Sequence, residues 1–258
     1  DLLNRILMQS PAIKAARNRR AIAQRLLEIC LEEQPAGEPV LVLAFGGGDG
    51  RLEAEVIART GRPDIYYCSV DKDADAAAEN RKVMEEHGLG RRGFVFSGNV
   101  AEKRDLETVL EAAGRELSAT FRQVNVSVCL GIAEYLDMGS ASNEKLASLL
   151  DAVYGVTREE GSLIISQTDY HDRVAYLERE LAWYMRLRDI DELATEVEKA
   201  KWRISVCEHE PMRLISMCLA KKSPAALRRF DDADRPTPAR VQEVPVSRSK
   251  GRVGVGGR

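Results

Sequence analysis

Apolar and polar positions along this chain follow two periods, and the switches between them outline its elements. Ile22, Leu26 and Ile29 recur at four and three residues, the stripe of a helix from Ile13 to about Glu33. Ser10-Pro11 marks its start: a hydroxyl that can cap free amides, then a residue whose missing N–H costs nothing in the first turn. Gln34 to Pro39 reads as a loop, and after it strand and helix signals alternate. The predicted strands are Val40–Phe45, Ile65–Val70, Phe94–Ser97, Val124–Leu130 and Ser162–Ser166. The helices between them are Arg51–Arg59, Ala74–Glu86, Asp105–Leu117 and Asn143–Tyr154. Asp172 to about Lys201 has helical periodicity, with a break near Arg188-Asp189. Trp202–Glu208 and Arg213–Ala220 are strands again, joined only by His209–Met212.

Strands connected through helices form right-handed parallel βαβ units, and nearly unbroken apolar runs belong to strands covered on both faces. The last connection is too short for a helical crossover, so those two strands pair antiparallel. The expected fold is therefore α/β: a doubly wound, seven-stranded, mostly parallel sheet with a hairpin at its far edge. Residues 1–36 form an N-terminal helical cap, residues 37–222 the main domain, and residues 223–258 a separate tail.

Charge separates that tail from the rest. The 258 residues carry a formal charge of −3, yet the tail holds eight basic and four acidic residues, leaving 30 basic and 37 acidic elsewhere. With its prolines and glycines the tail reads as mostly disordered. The acidic body argues against nucleic acid as a partner. No apolar run approaches the roughly eighteen residues of a membrane span, and no segment resembles a secretion signal. The five cysteines have no metal-site or redox-motif spacing. Cys68, Cys129, Cys207 and Cys218 lie in apolar runs, which suits buried free thiols, a reducing compartment and a cytoplasmic location.

Chemistry enters at Ala44-Phe45-Gly46-Gly47-Gly48-Asp49-Gly50, where glycines ending a strand let a ligand reach the backbone. The next strand ends at Asp71, about twenty residues on, where a carboxylate can hold both hydroxyls of a ribose. A dinucleotide and S-adenosyl-L-methionine both carry that ribose. A dinucleotide loop needs G-x-G-x-x-G, and this chain has Arg51 where the third glycine belongs. Its pattern is Gly46-x-Gly48-x-Gly50.

From Val40 to about Lys222 the chain resembles the class I S-adenosylmethionine-dependent methyltransferases. The resemblance implies that Phe45, Gly46, Gly48 and Gly50 shape the cofactor loop and that Asp71 holds the ribose. Asn99 and Val100, in Ser97-Gly98-Asn99-Val100, would meet the adenine, and Leu130 and Gly131 the methionine moiety. The family carries Asp or Glu where this chain has Ala44; Asp49 and Glu134 are candidate replacements. Gly131-Ile132-Ala133-Glu134-Tyr135-Leu136 and Trp183-Tyr184-Met185-Arg186-Leu187-Arg188 resemble a bacterial subgroup sharing G-x-x-E/D-Y-L and W-x-x-x-x-R segments. Some of its members are associated with methyl esters of hydroxy fatty acids.

Glu134, Tyr135 and His171, with Tyr170, follow the fourth and fifth strands and are the candidates for acceptor contact and proton transfer. Glu134 and His171 have a plainer role as helix caps, and Tyr135 as a core aromatic. Arg17 and Arg20, three apart on the first helix, either clamp a carboxylate or form a solvated basic face. Trp183 and Arg188 either roof a pocket or make helix packing and a surface ion pair. The expected function is methyl transfer to a small-molecule or lipid-like acceptor. A cofactor-binding module without chemistry and an NAD-dependent oxidoreductase stand as alternatives.

Overall fold

The structure, a computed structural model, describes residues 10–98, 103–119, 121, 123–171 and 184–223. Asn99, Val100, Trp183, the first half of the expected 172–201 helix and the tail beyond Ser223 lie outside the described residues.

The elements run α1 (Pro11–Glu32), β1 (Val40–Phe45), α2 (Arg51–Thr60), β2 (Ile65–Asp71), α3 (Ala74–Glu86), β3 (Gly93–Ser97), α4 (Lys103–Glu116) and β4 (Val124–Cys129). They continue with a short 3-10 turn (Ala133–Tyr135), α5 (Glu144–Val156), β5 (Thr157–Thr168), α6 (Ile190–Lys199), β6 (Trp202–His209) and β7 (Ile215–Lys222). One seven-stranded sheet has the order β3-β2-β1-β4-β5-β7-β6. β7 runs antiparallel to both β5 and β6, and the other pairings are parallel. The hairpin thus folds back so that its second strand, not its first, joins the body of the sheet.

Alternation along β1 shows how the layers form. Leu41, Leu43 and Phe45 enter one core with residues of α4, α5 and α6. Val40, Val42 and Ala44 point the other way, into a core built with α1, α2 and α3. Each fully buried Leu, Ile or Val contributes about 1.5–3 kcal/mol relative to exposure. The ends of β1, β2, β4 and β5 are held together at one edge, so the glycine loop, Asp71, the Leu130–Leu136 segment and Thr168–His171 converge there.

Four local features differ from the sequence pattern. On α1 the buried stripe is Ala15, Ala23, Leu26, Leu27, Cys30 and Leu31, while Ile29 is exposed. Ser10 does cap this helix, its Oγ accepting from the Ile13 amide at 3.3 Å. β5 begins at Thr157, five residues before the apolar run, through polar Arg158, Glu159 and Glu160. Thr157 pairs with Val124 across an irregular register, and its carbonyl accepts from Lys222 Nζ at 2.6 Å. Residues 184–189 are not helical, and α6 starts only at Ile190, where Asp189 Oδ1 accepts from the Glu192 amide at 2.7 Å. Finally, Cys207 and Cys218, neighbours across β6 and β7, are joined in a disulfide, while Cys30, Cys68 and Cys129 are free and buried. The cysteines are therefore not five free thiols, and they no longer argue for a reducing compartment.

Candidate functional site

β1 ends in the glycine loop and β2, its neighbour, ends in Asp71. The Asp71 carboxylate turns onto the loop: Oδ2 accepts from the Gly48 amide and Oδ1 from the Asp73 amide, both at 2.9 Å. Gly48 has φ +53 and open space where a Cβ would stand. Gly50 needs its missing side chain for a second reason, since at φ +63 a Cβ would lie 2.4 Å from Asn80 Oδ1. Asn80 is fully buried on α3, with Nδ2 within hydrogen-bond distance of Gly48 O, Ser69 Oγ and the Tyr67 hydroxyl. It braces the loop from behind. Nothing in the sequence pattern singled it out, although an Asn on an otherwise apolar helix face is a recognisable signal.

In front of the loop lies a cavity of about 310 Å³, bordered by Phe45, Gly46, Gly47, Gly48 and Leu130 and by side chains of α1 and α2. Beside it a second cavity of about 190 Å³ is lined by Leu130, Gly131, Glu134, Tyr135, Thr168 and His171, with apolar Met185, Leu214 and Ile215 opposite. Arg19 and Leu130 belong to both. Gly131, at φ +71, lets the Arg19 guanidinium sit against its backbone, where Nη1 would be 3.0 Å from a Cβ. The structure thus brings Glu134, Tyr135 and His171 into one cavity and Phe45, Gly46 and Gly48 into its neighbour. Gly50 stands behind the loop as the residue before α2.

Glu134 is buried, and burial raises its proton affinity above that of an ordinary carboxyl, opposed in part by Arg19. Oε1 lies 3.8 Å from Arg19 Nη1 and accepts from the Thr168 hydroxyl at 3.4 Å; Oε2 is a buried acceptor without a partner among the described residues. Tyr135 is no core aromatic: it is 40% exposed, at the cavity mouth. Tyr170 is 55% exposed and borders neither cavity.

The basic residues sort differently from their spacing. Arg17 is exposed, and Arg20 pairs with Glu55 of α2 at 2.8 Å at the cavity rim. Arg19, between them, faces the site. Arg188 is not a surface ion pair; it is fully buried. It donates to the carbonyls of Ala133 (2.9 Å) and Leu136 (3.2 Å), and to the side chains of Asn143, Gln167 and Asp137. One guanidinium therefore fixes the turn that carries Glu134.

Of the two candidates for the missing acid at Ala44, Asp49 lines the loop cavity at its exposed rim and Glu134 does not line it. Asp49 Oδ1 accepts from the Arg51 amide at 3.1 Å, and Glu134 lies next door. The buried carboxyl in that cavity is Glu53 of α2, 4% exposed, and burial pushes its pKa up to about 7. Its signal in the sequence was Val56 and Ile57, three and four residues on, which place it on the apolar stripe of its helix.

No family model and no curated protein matches the sequence. Solved structures do resemble the fold. The CurJ carbon methyltransferase aligns with TM-score 0.61 and 12% identity over 87% of this chain and 59% of its own. An O-methyltransferase family protein from Burkholderia thailandensis aligns with TM-score 0.56 and 16% identity, over 80% and 57%. The [4+2]-cyclase SpnF aligns with TM-score 0.54 and 14% identity, over 78% and 81%. The chain spans less than two thirds of both methyltransferases, so each has regions without a counterpart here. Strand order, the antiparallel seventh strand and the helical layers together give this chain the fold of the class I S-adenosylmethionine-dependent methyltransferases.

Proposed function

We propose that this protein is an S-adenosylmethionine-dependent methyltransferase acting on a small-molecule or lipid-like acceptor. The observation that carries the reading is the pair of adjoining cavities. One lies against a glycine loop tied to a carboxylate, and the other is an apolar chamber holding a buried carboxyl. The residues present fit the cofactor. Asp71 has lone pairs left for ribose hydroxyls, Gly46 and Gly48 admit a ligand to the backbone, and Leu130 and Gly131 wall the methionine end. Asn99 and Val100 are the proposed adenine contacts and lie outside the described residues.

When bound, the cofactor supplies a methyl group activated on a sulfonium. The protein's own contribution is to hold the acceptor in line, exclude water and manage one proton. Leu130, Met185, Leu214 and Ile215 provide the dry walls. A hydroxyl acceptor would need a base for its proton, and Glu134, a buried carboxyl of raised proton affinity in the chamber lining, is the candidate to take it. Arg19 would then face a neutral acid rather than an anion. His171 and Tyr135 line the chamber that would take the acceptor. A carboxylate acceptor needs no base, and Arg19 is the cation available to orient it.

Titration calorimetry with S-adenosylmethionine and S-adenosylhomocysteine tests the first half. Heat with neither, or a thermal-shift preference for NAD, ends the reading. Labelled methyl transfer to a panel of hydroxylated and carboxylated lipids and aromatics tests the second. SpnF, named as a cyclase, has a similar fold, and Ala44 departs from the family pattern, so a protein that binds the cofactor without transferring methyl is the second reading. Binding without transfer across the panel favours it.

A further inference from the structure

α2 begins beside the glycine loop and carries Glu53 on the side that faces the sheet. Glu53 borders the loop cavity together with Asp49, Arg19 and Arg20. Ala44 points into the same layer, the core shared by α1, α2 and α3, so an acid at either position is delivered to the same side of the sheet. The loop cavity therefore still has a buried carboxyl, contributed by the helix instead of the strand. Glu53 has no ion-pair partner within 4 Å among the described residues, Arg20 being committed to Glu55. A buried carboxylate without a cation is costly, and a ligand that brings one removes that cost. Arg19, whose nearest carboxylate among the described residues is 3.8 Å away, is the complementary cation in the same cavity.

We infer that Glu53 binds the α-ammonium group of an adenosyl amino acid, replacing the acid that the family carries at the position of Ala44, with Arg19 taking the ligand's α-carboxylate. This rests on the reading of the loop cavity as a cofactor site. Chemically, the wall recognises a zwitterion. The groups facing Glu53 are Asp49, Arg19 and Arg20, with Tyr67 beneath, its hydroxyl held neutral by burial. Free Glu53 holds its proton to about pH 7. An ammonium beside it favours the anion, so binding at that pH expels the proton.

The test compares two ligands by calorimetry in buffers of different ionisation enthalpy. S-adenosylhomocysteine carries the zwitterion, and 5′-methylthioadenosine lacks it. For the wild type at about pH 7 the expected result is release of about half a proton with the first ligand and none with the second. Glu53→Gln should weaken S-adenosylhomocysteine on the order of tenfold or more, abolish the proton release and leave methylthioadenosine affinity unchanged. Equal proton release with both ligands, unchanged S-adenosylhomocysteine affinity in the variant, or equal loss of both ligands overturns the inference. Should Glu53→Gln fail to fold, the wild-type proton counts decide alone. Wild-type protein that binds neither ligand defeats the cofactor reading and this inference with it. Wild-type binding that is indifferent to Glu53 defeats only the inference.

Discussion

The Asp71 carboxylate and the Gly48 amide, 23 residues apart in sequence, are hydrogen-bonded at 2.9 Å across the tips of two neighbouring strands. Asp71 therefore shapes the loop, and in the proposed function its remaining lone pairs would hold a ribose. Asp71→Ala should weaken S-adenosylhomocysteine on the order of tenfold to a hundredfold, because charge-assisted hydrogen bonds are lost while little apolar contact changes. Calorimetry checks this, and circular dichroism should show the fold retained. Undiminished affinity would remove Asp71 from the site.

The loop glycines should not be equivalent. Gly48→Ala introduces only the strain of a side chain in the left-handed region, about 1–2 kcal/mol, since the space around it is open. Gly50→Ala adds a collision with buried Asn80 and should cost about 2 kcal/mol or more. Urea denaturation of the two variants gives the order; a reversal would mean that Asn80 moves aside freely.

Arg188→Met should be among the most damaging single changes, at about 3–5 kcal/mol. It leaves Asp137, Gln167 and two carbonyls facing an apolar side chain in the interior. Denaturant midpoints measure the loss. Because those partners fix the turn carrying Glu134, any folded fraction should also lose affinity for acceptors before it loses affinity for S-adenosylhomocysteine.

Glu53 makes stability depend on pH with a definite sign. Its folded pKa, about 7, lies above the ordinary carboxyl value of 4.5. Its favourable contribution is present below the ordinary value and is lost as pH rises through about 7. The loss is about 3 kcal/mol by linkage, as an order of magnitude. Glu53→Gln, which cannot ionise, should be the more stable protein at alkaline pH and lose that advantage in acid. Urea titrations at both extremes provide the check, and a constant difference between the two proteins would contradict the buried carboxyl.

The cysteines make a chemical prediction. Alkylation of the unfolded chain without reductant should modify Cys30, Cys68 and Cys129 only, and reductant should add Cys207 and Cys218. Mass spectrometry of peptides distinguishes this from five free thiols.

What could be read in the sequence was local. Val40–Phe45, the glycines after it and Asp71 belong to one βαβ unit, and their spacing alone placed a carboxylate beside a loop. The last two strands were evident because four residues cannot house a crossover. What escaped depended on partners distant in the chain. The five groups that accept hydrogen bonds from Arg188 lie 21 to 55 residues away, and only Glu192, four residues on, is a local partner, so a surface ion pair is the natural expectation from sequence. Spacing along a helix tells which residues share a face, not which face meets the site, so Arg17 and Arg20 stand out in the sequence and Arg19 does not. Glu53 carries no motif of its own: only the packing of α2 brings its carboxyl to the loop cavity. The start of β5 is hidden by polar Arg158, Glu159 and Glu160, and Thr157 before them is held by Val124, Ser127 and Lys222 from distant parts of the chain.

Arg19 lines both chambers, and that has a thermodynamic consequence. If each chamber took an anionic ligand, the two ligands would draw on one guanidinium without touching each other. Occupancy of either side would then alter affinity on the other, by an equal free energy in each direction.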